Sequence, residues 1–153
     1  MANLIPFAFN STPTVSRGLS SKANQMYCLN LRTVPCADPR NACCRQGLDK
    51  VEWWSKDVCR GAVRAVYLDG VKLDQQWAAN ATFKIPNINI TRASIPARGR
   101  TVCLELIATS ACPTLATFCS KGARGICTYA LFSDDKSCCP IGNFEAISSR
   151  RRR

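Results

Sequence analysis

Eleven cysteines, four of them in two adjacent pairs, constrain this 153-residue chain more than any other feature. They are Cys28, Cys36, Cys43, Cys44, Cys59, Cys103, Cys112, Cys119, Cys127, Cys138 and Cys139. Cysteine at this density belongs to exported, disulfide-stapled domains, because the cytosol keeps thiols reduced. A tetrahedral thiolate zinc site draws two ligands from one tight turn, and a thioredoxin-like redox pair has the same spacing. No Cys-x-x-Cys occurs here. All eleven positions are therefore candidates for structural disulfides, and neither a metal nor a cofactor is expected. A loop of tens of residues closed by such a bridge contributes about 3 to 4 kcal/mol in the chain-entropy picture. In an extended segment neighbouring side chains point to opposite faces. Each doublet should then reach two different partners and staple two layers. The odd count leaves one thiol free, paired outside the chain, or deprived of its partner. Spacing does not give the connectivity.

The chain holds 21 Lys and Arg against 10 Asp and Glu, with no His. Without His there is no Ser-His-Asp triad, no Cys-His pair and no His general base. No apolar run approaches the ~18 residues of a membrane span. The opening Met1 to Asn10 lacks a basic n-region and is broken by Pro6, so it makes a poor signal peptide. An oxidising compartment without an export signal suggests a piece of a longer secreted chain, with Met1 added.

Residues 10–25 are polar and without acid, and read as an extended loop; residues 1–26 are taken as a leader or linker. Order is expected from Tyr27. Period-two alternation and β-forming residues predict strands over 27–34, 50–54, 62–68, 71–73, 83–85, 101–109 and 127–132. Asp69-Gly70 between apolar runs signals a hairpin. Only 113–119 reads as helical, and it is too short to hold alone. The pattern is all-β, mainly an antiparallel sandwich or barrel, disulfide-rich, with one short helical segment. The domain is expected over 27–145 and a basic tail over 146–153, ending in the run Arg150 to Arg153.

Three sequons, at Asn10, Asn80 and Asn89, are candidates for glycosylation. No acid lies between Asp74 and Glu105, a stretch carrying Lys84, Arg92, Arg98 and Arg100. Arg92, Arg98 and Arg100 are candidates for binding an anionic polysaccharide. The sequence has no RNP-type aromatic motif, helix-turn-helix or zinc finger, so nucleic acid is not the expected partner. Trp53 and Trp54, adjacent on a strand, must face opposite ways; one would pack in the core and the other could stack on a sugar ring. Paired carboxylates are the main chemistry open to a His-free chain. Asp134-Asp135 reads as a polar turn. Glu105, on a face with Cys103 and Ile107, reads as a partly buried partner of an Arg. No catalytic residue is assigned.

These residues carry a pattern. Tyr27-Cys28, Cys36, Asn41-Ala-Cys-Cys44, Leu48-Asp-Lys-Val-Glu52, Cys59-Arg-Gly-Ala-Val63 and Val66 to Gly70 resemble the pherophorin domain. Val102-Cys-Leu-Glu-Leu106, Cys112-Pro-Thr-Leu115, Cys119, and Cys127-Thr-Tyr-Ala-Leu-Phe132 leading to Cys138-Cys-Pro140 resemble its end, so the likeness runs from about Phe7 to Pro140. Pherophorins are extracellular matrix glycoproteins of volvocine green algae, joining cysteine-rich domains through a hydroxyproline-rich rod; some relatives are sexual inducer pheromones. The resemblance implies secretion, glycosylation and a structural role in matrix or cell wall. The opening Ile5-Pro-Phe-Ala-Phe-Asn10 departs from the family's early cysteines, which bears on the odd count. The expectation is a secreted module adhesive toward extracellular polysaccharide or matrix glycoproteins, without a membrane span. The alternatives are a soluble signal or a carbohydrate-binding module.

Overall fold

Strands that alternate apolar and polar side chains must each bury one face, and two sheets facing one another satisfy all of them at once. The computed structural model describes residues 4–119 and 125–146; the run Arg150 to Arg153 lies outside them. Its strands are β1 (Phe7–Phe9), β2 (Thr14–Arg17), β3 (Gln25–Thr33), β4 (Leu48–Trp54), β5 (Val63–Leu68), β6 (Val71–Leu73), β7 (Gln76–Ala78), β8 (Thr82–Ile85), β9 (Arg100–Leu106), β10 (Ile126–Ser133) and β11 (Ile141–Glu145). One sheet has the order β1-β3-β9-β5-β6, with β2 also on β3; the other has the order β11-β10-β4-β8-β7. Every pairing is antiparallel, and both sheets contribute to one core, so of the expected sandwich or barrel it is the sandwich that forms.

The first sheet supplies Tyr27, Leu29, Leu31, Val66, Val102, Leu104 and Leu106 to that core; the second supplies Val51, Trp53, Phe83, Ile85, Tyr129, Leu131 and Phe144. Phe9 joins the two, with its ring edge-on to Tyr129 at 5.0 Å and its backbone N–H donating to the Tyr129 hydroxyl at 3.2 Å. Asp69 and Gly70 both take positive φ in the tight turn between β5 and β6, as the dipeptide predicted. The helix is a single turn, α1 (Leu115–Phe118), capped by Thr114 and flanked by two bridged cysteines, Cys112 and Cys119.

Order does not begin at Tyr27. Ile5, Phe7 and Phe9 are buried, β1 pairs with the far end of β3, and β2 lies within the segment read as a loop. The alternation of Ile5, Phe7 and Phe9 was in the sequence, but Pro6 interrupts it. The last strand of the first sheet's core also stops early, at Leu106, where Ile107 turns to donate to the carbonyl of Ala62.

Five disulfides join Cys28–Cys103, Cys36–Cys44, Cys43–Cys138, Cys59–Cys112 and Cys119–Cys127, leaving Cys139 free and exposed. The first doublet reaches two partners as expected, but from a 3-10 turn, Ala42–Arg45, and not from a strand. Successive residues there diverge by about a third of a turn. It clamps the crossover between the sheets onto the loop after β10. In the second doublet only Cys138 is bridged.

Glu105 is fully buried on the outer face of β9. Its expected Arg partner is not found among the described residues. The carboxylate accepts instead from the Ser20 hydroxyl (2.5 Å) and N–H (3.1 Å), Asn24 Nδ2 (2.7 Å) and the Tyr67 hydroxyl (2.8 Å). Neutral donors suffice because each hydrogen bond favours the ionised form. Burial alone would raise the pKa, yet these bonds hold it at about 2. The contact pins the 18–24 loop over Met26, Ala65 and Tyr67.

Two outcomes follow for stability. Replacing Cys43 and Cys138 by Ser, which opens a separation of 95 residues, should cost about 4 to 5 kcal/mol, and replacing Cys36 and Cys44, 8 apart, about 2 to 3. Urea unfolding measures both, and equal losses would contradict the connectivity. Alkylation of unreduced, denatured protein should label Cys139 alone. For Glu105, a pKa lowered from 4.5 to about 2 means stability is complete above about pH 4.5 and falls as pH drops towards 2. Glu105→Gln should lose about 1 to 3 kcal/mol at pH 7 and show a flatter acid limb in urea titrations. An acid limb identical to that of the wild type would assign the proton to another group.

Candidate functional site

Residues two apart on a strand share a face, so the outer surface of the first sheet is read directly from its register. Asn30 on β3 stands opposite Thr101 on β9, and Arg32 follows Asn30 on the same face. The Asn30 side chain is a hub. Arg32 Nε donates to its Oδ1 at 3.1 Å, and its Nδ2 donates to the carbonyl of Arg98 at 2.9 Å. Gly99 makes this approach possible: its φ is +81°, and a Cβ there would lie 2.5 Å from Asn30 Oδ1. Beyond Thr101 stands Asp69, which accepts from Arg100 Nε at 2.7 Å and from the Thr101 N–H at 2.9 Å. Burial works to raise the Asp69 pKa, but the Thr101 N–H, Arg100 and Arg98 together bring it below the ordinary value.

Three arginines and one aspartate thus meet at one corner of the sandwich. Asp69 is committed to Arg100. Arg32 and Arg98 are exposed, and among the described residues neither pairs with a carboxylate. Beside them is an open depression of about 210 Å³ lined by Asn10, Thr14, Cys28, Leu29, Asn30 and Thr101. Amide and hydroxyl groups next to unpaired guanidinium groups suit a polyhydroxylated, negatively charged ligand, since guanidinium bonds sulfate or carboxylate oxygens in pairs. A larger depression, about 270 Å³, lies at the β2–β3 hairpin with Arg17 and Lys22. Its arginine is turned back on the Lys22 carbonyl, at 3.5 Å.

Arg98 and Arg100, singled out in the sequence, fall in this corner. Arg92 does not: it stands on the turn after Ile90, which bridges to Leu48 of the other sheet. Arg32 and Asn30 were missed, because they are 66 or more residues from Arg98 and only the β3–β9 pairing joins them. Trp53 is 2% exposed, in the core. Trp54 is half-buried on the outer face of the second sheet, opposite Thr82 and away from the arginines. Trp77 packs edge-on against Phe83 and Phe118, with Arg60 over its ring. Asn80 and Asn89 are exposed at left-handed turn positions. Asn10 is half-buried, its amide bonded to Asn30 and Thr12.

The family model described as pherophorin matches residues 2–140. Perphorin-1 of Volvox carteri is 29% identical over 149 residues, covering 87% of this chain and 28% of its own length. Sulfated surface glycoprotein 185 of Volvox carteri is 28% identical over 132 residues, covering 80% of this chain and 26% of its own. The chain therefore spans about a quarter of the curated relatives it matches. Among solved structures, a biofilm-associated protein BSP domain aligns over 91% of this chain and 28% of its own, at 12% identity and a TM-score of 0.40. Two cysteine doublets, their bridged partners and the Tyr-Ala-Leu-Phe strand all fall inside the matched span, and the chain belongs to the pherophorin family of extracellular matrix glycoproteins.

Proposed function

We propose that this module is secreted and works by adhesion, holding anionic polysaccharide of the matrix through the corner built on Asn30. The observation that carries this is the pair of exposed arginines, Arg32 and Arg98, joined through one asparagine that holds the Arg32 guanidinium and the Arg98 backbone carbonyl beside a polar depression. A net charge of +11 supplies long-range attraction, and the corner supplies the short-range contact. Five disulfides suit a part that must stay folded outside the cell. Asn80 and Asn89 carry glycans on this reading, being exposed and turned outward. Trp54, on the other sheet, offers a separate stacking face for a sugar ring. The work is mechanical, and no residue is given a catalytic role.

Retention on immobilised dextran sulfate, with neutral dextran as control, tests the reading. Binding should weaken steeply as salt rises, since exposed charges are screened over about 8 Å at physiological ionic strength. Arg32→Ala with Arg98→Ala should weaken it about tenfold, equivalent to ~1.4 kcal/mol, while Arg92→Ala should leave it unchanged. No retention at low salt, or equal loss from Arg92→Ala, would overturn the assignment of the corner.

A further inference from the structure

Asn10 belongs to two systems at once. It opens the sequon Asn10-Ser11-Thr12, and it lines the depression beside the arginines. Its Oδ1 accepts from the Asn30 N–H at 2.8 Å, its own N–H donates to the Asn30 carbonyl at 3.0 Å, and its Nδ2 donates to the Thr12 carbonyl at 2.8 Å. These bonds aim the amide and hold it next to Asn30, whose side chain bonds the Arg32 guanidinium and the Arg98 backbone carbonyl.

We infer that an N-linked glycan on Asn10 controls access to this corner. With Asn10 bare, the depression and the two guanidinium groups receive the external polysaccharide. With Asn10 occupied, the first sugars leave from a side chain that lines the depression, stand over it and exclude the external chain. The inference rests on the polyanion reading given above. The chemistry is compatible with the fold. A sugar diphosphate donor loses its diphosphate as the Nδ2–C1 bond forms, and Nδ2 gives up one proton. One N–H and the carbonyl oxygen remain, so the bond from Asn30 and one donor toward Thr12 persist. The other two sequons lack this connection. Asn80 precedes β8 of the opposite sheet, and Asn89 lies between Ile88 and Ile90, which pack into the core beside Leu48.

The test uses the whole chain, secreted from a host that attaches N-glycans, with Thr82→Val and Thr91→Ala to silence the other sequons while leaving their asparagines in place. Mass spectrometry of the tryptic peptide spanning residues 1–17 reports occupancy, and lectin chromatography separates the two forms. The bare form should be retained on dextran sulfate about tenfold more tightly than the occupied form. Adding Thr12→Ala, which removes the sequon and keeps Asn10, should make all the protein behave as the bare form. Equal retention of the two forms, or a peptide never found occupied, would overturn the inference. If neither form binds at low salt, the polyanion reading fails and takes this inference with it.

Discussion

The register between β3 and β9 is the constraint on which the rest depends. Cys28 and Cys103 face each other directly and are joined covalently. Side chains alternate with a period of two, so a one-residue slip would turn Leu29 and Leu31 to water and bring Asn30 and Arg32 into the core. The bridge lies on the outer face, and the core-facing residues lie on the other. Both surfaces of β3 therefore enforce the same alignment. That alignment sets Asn30 opposite Thr101, places Arg32 at the sheet's corner and leaves β1 and β2 to cover the remaining edge of β3.

The corner is an electrostatic arrangement assembled from distant parts of the chain. Arg32 comes from β3, Arg98 from the turn that leads into β9, and Asp69 from the tight turn between β5 and β6. One acid shared among three arginines neutralises only one of them. The surplus charge sits where Asn30 holds the Arg32 guanidinium and the backbone at Arg98, so part of the corner is ordered by the fold itself. The opposite sheet is organised differently: on its outer face Lys50 and Lys84 both pair with Glu52, which leaves less unmatched charge.

Exposed sheet edges invite pairing with other chains, and here several are covered. The N–H of Glu145 in β11 donates to the carbonyl of Ser11, and the Thr12 hydroxyl donates to the Glu145 side chain at 2.6 Å. On β7, Arg60 Nη2 donates to the carbonyl of Ala78 at 2.7 Å while its guanidinium lies over Trp77. The buried Glu105 does comparable work at the β2–β3 hairpin, drawing in the loop that covers the outer apolar cluster. A charge with four neutral donors is a local device for closing a loop without a large apolar side chain.

Cysteine content, absence of histidine and period-two alternation are properties of the chain itself, so the all-β, disulfide-stapled class and the family likeness were legible in the residues. Of the long strands, β3 and β10 were found within two residues of their limits, and β9 at its start but three residues too long at its end, because a period-two run of β-forming residues carries its own local signal. The short strands β1, β2, β7 and β11 were not, since three to five residues of edge strand derive their order from the neighbour they pair with. The partners of the ten bridged cysteines, the neutral donors around Glu105 and the meeting of Arg32 with Arg98 were decided only in three dimensions. Each needs groups tens of residues apart to be brought together, and strand pairing, which local spacing does not encode, is what brings them.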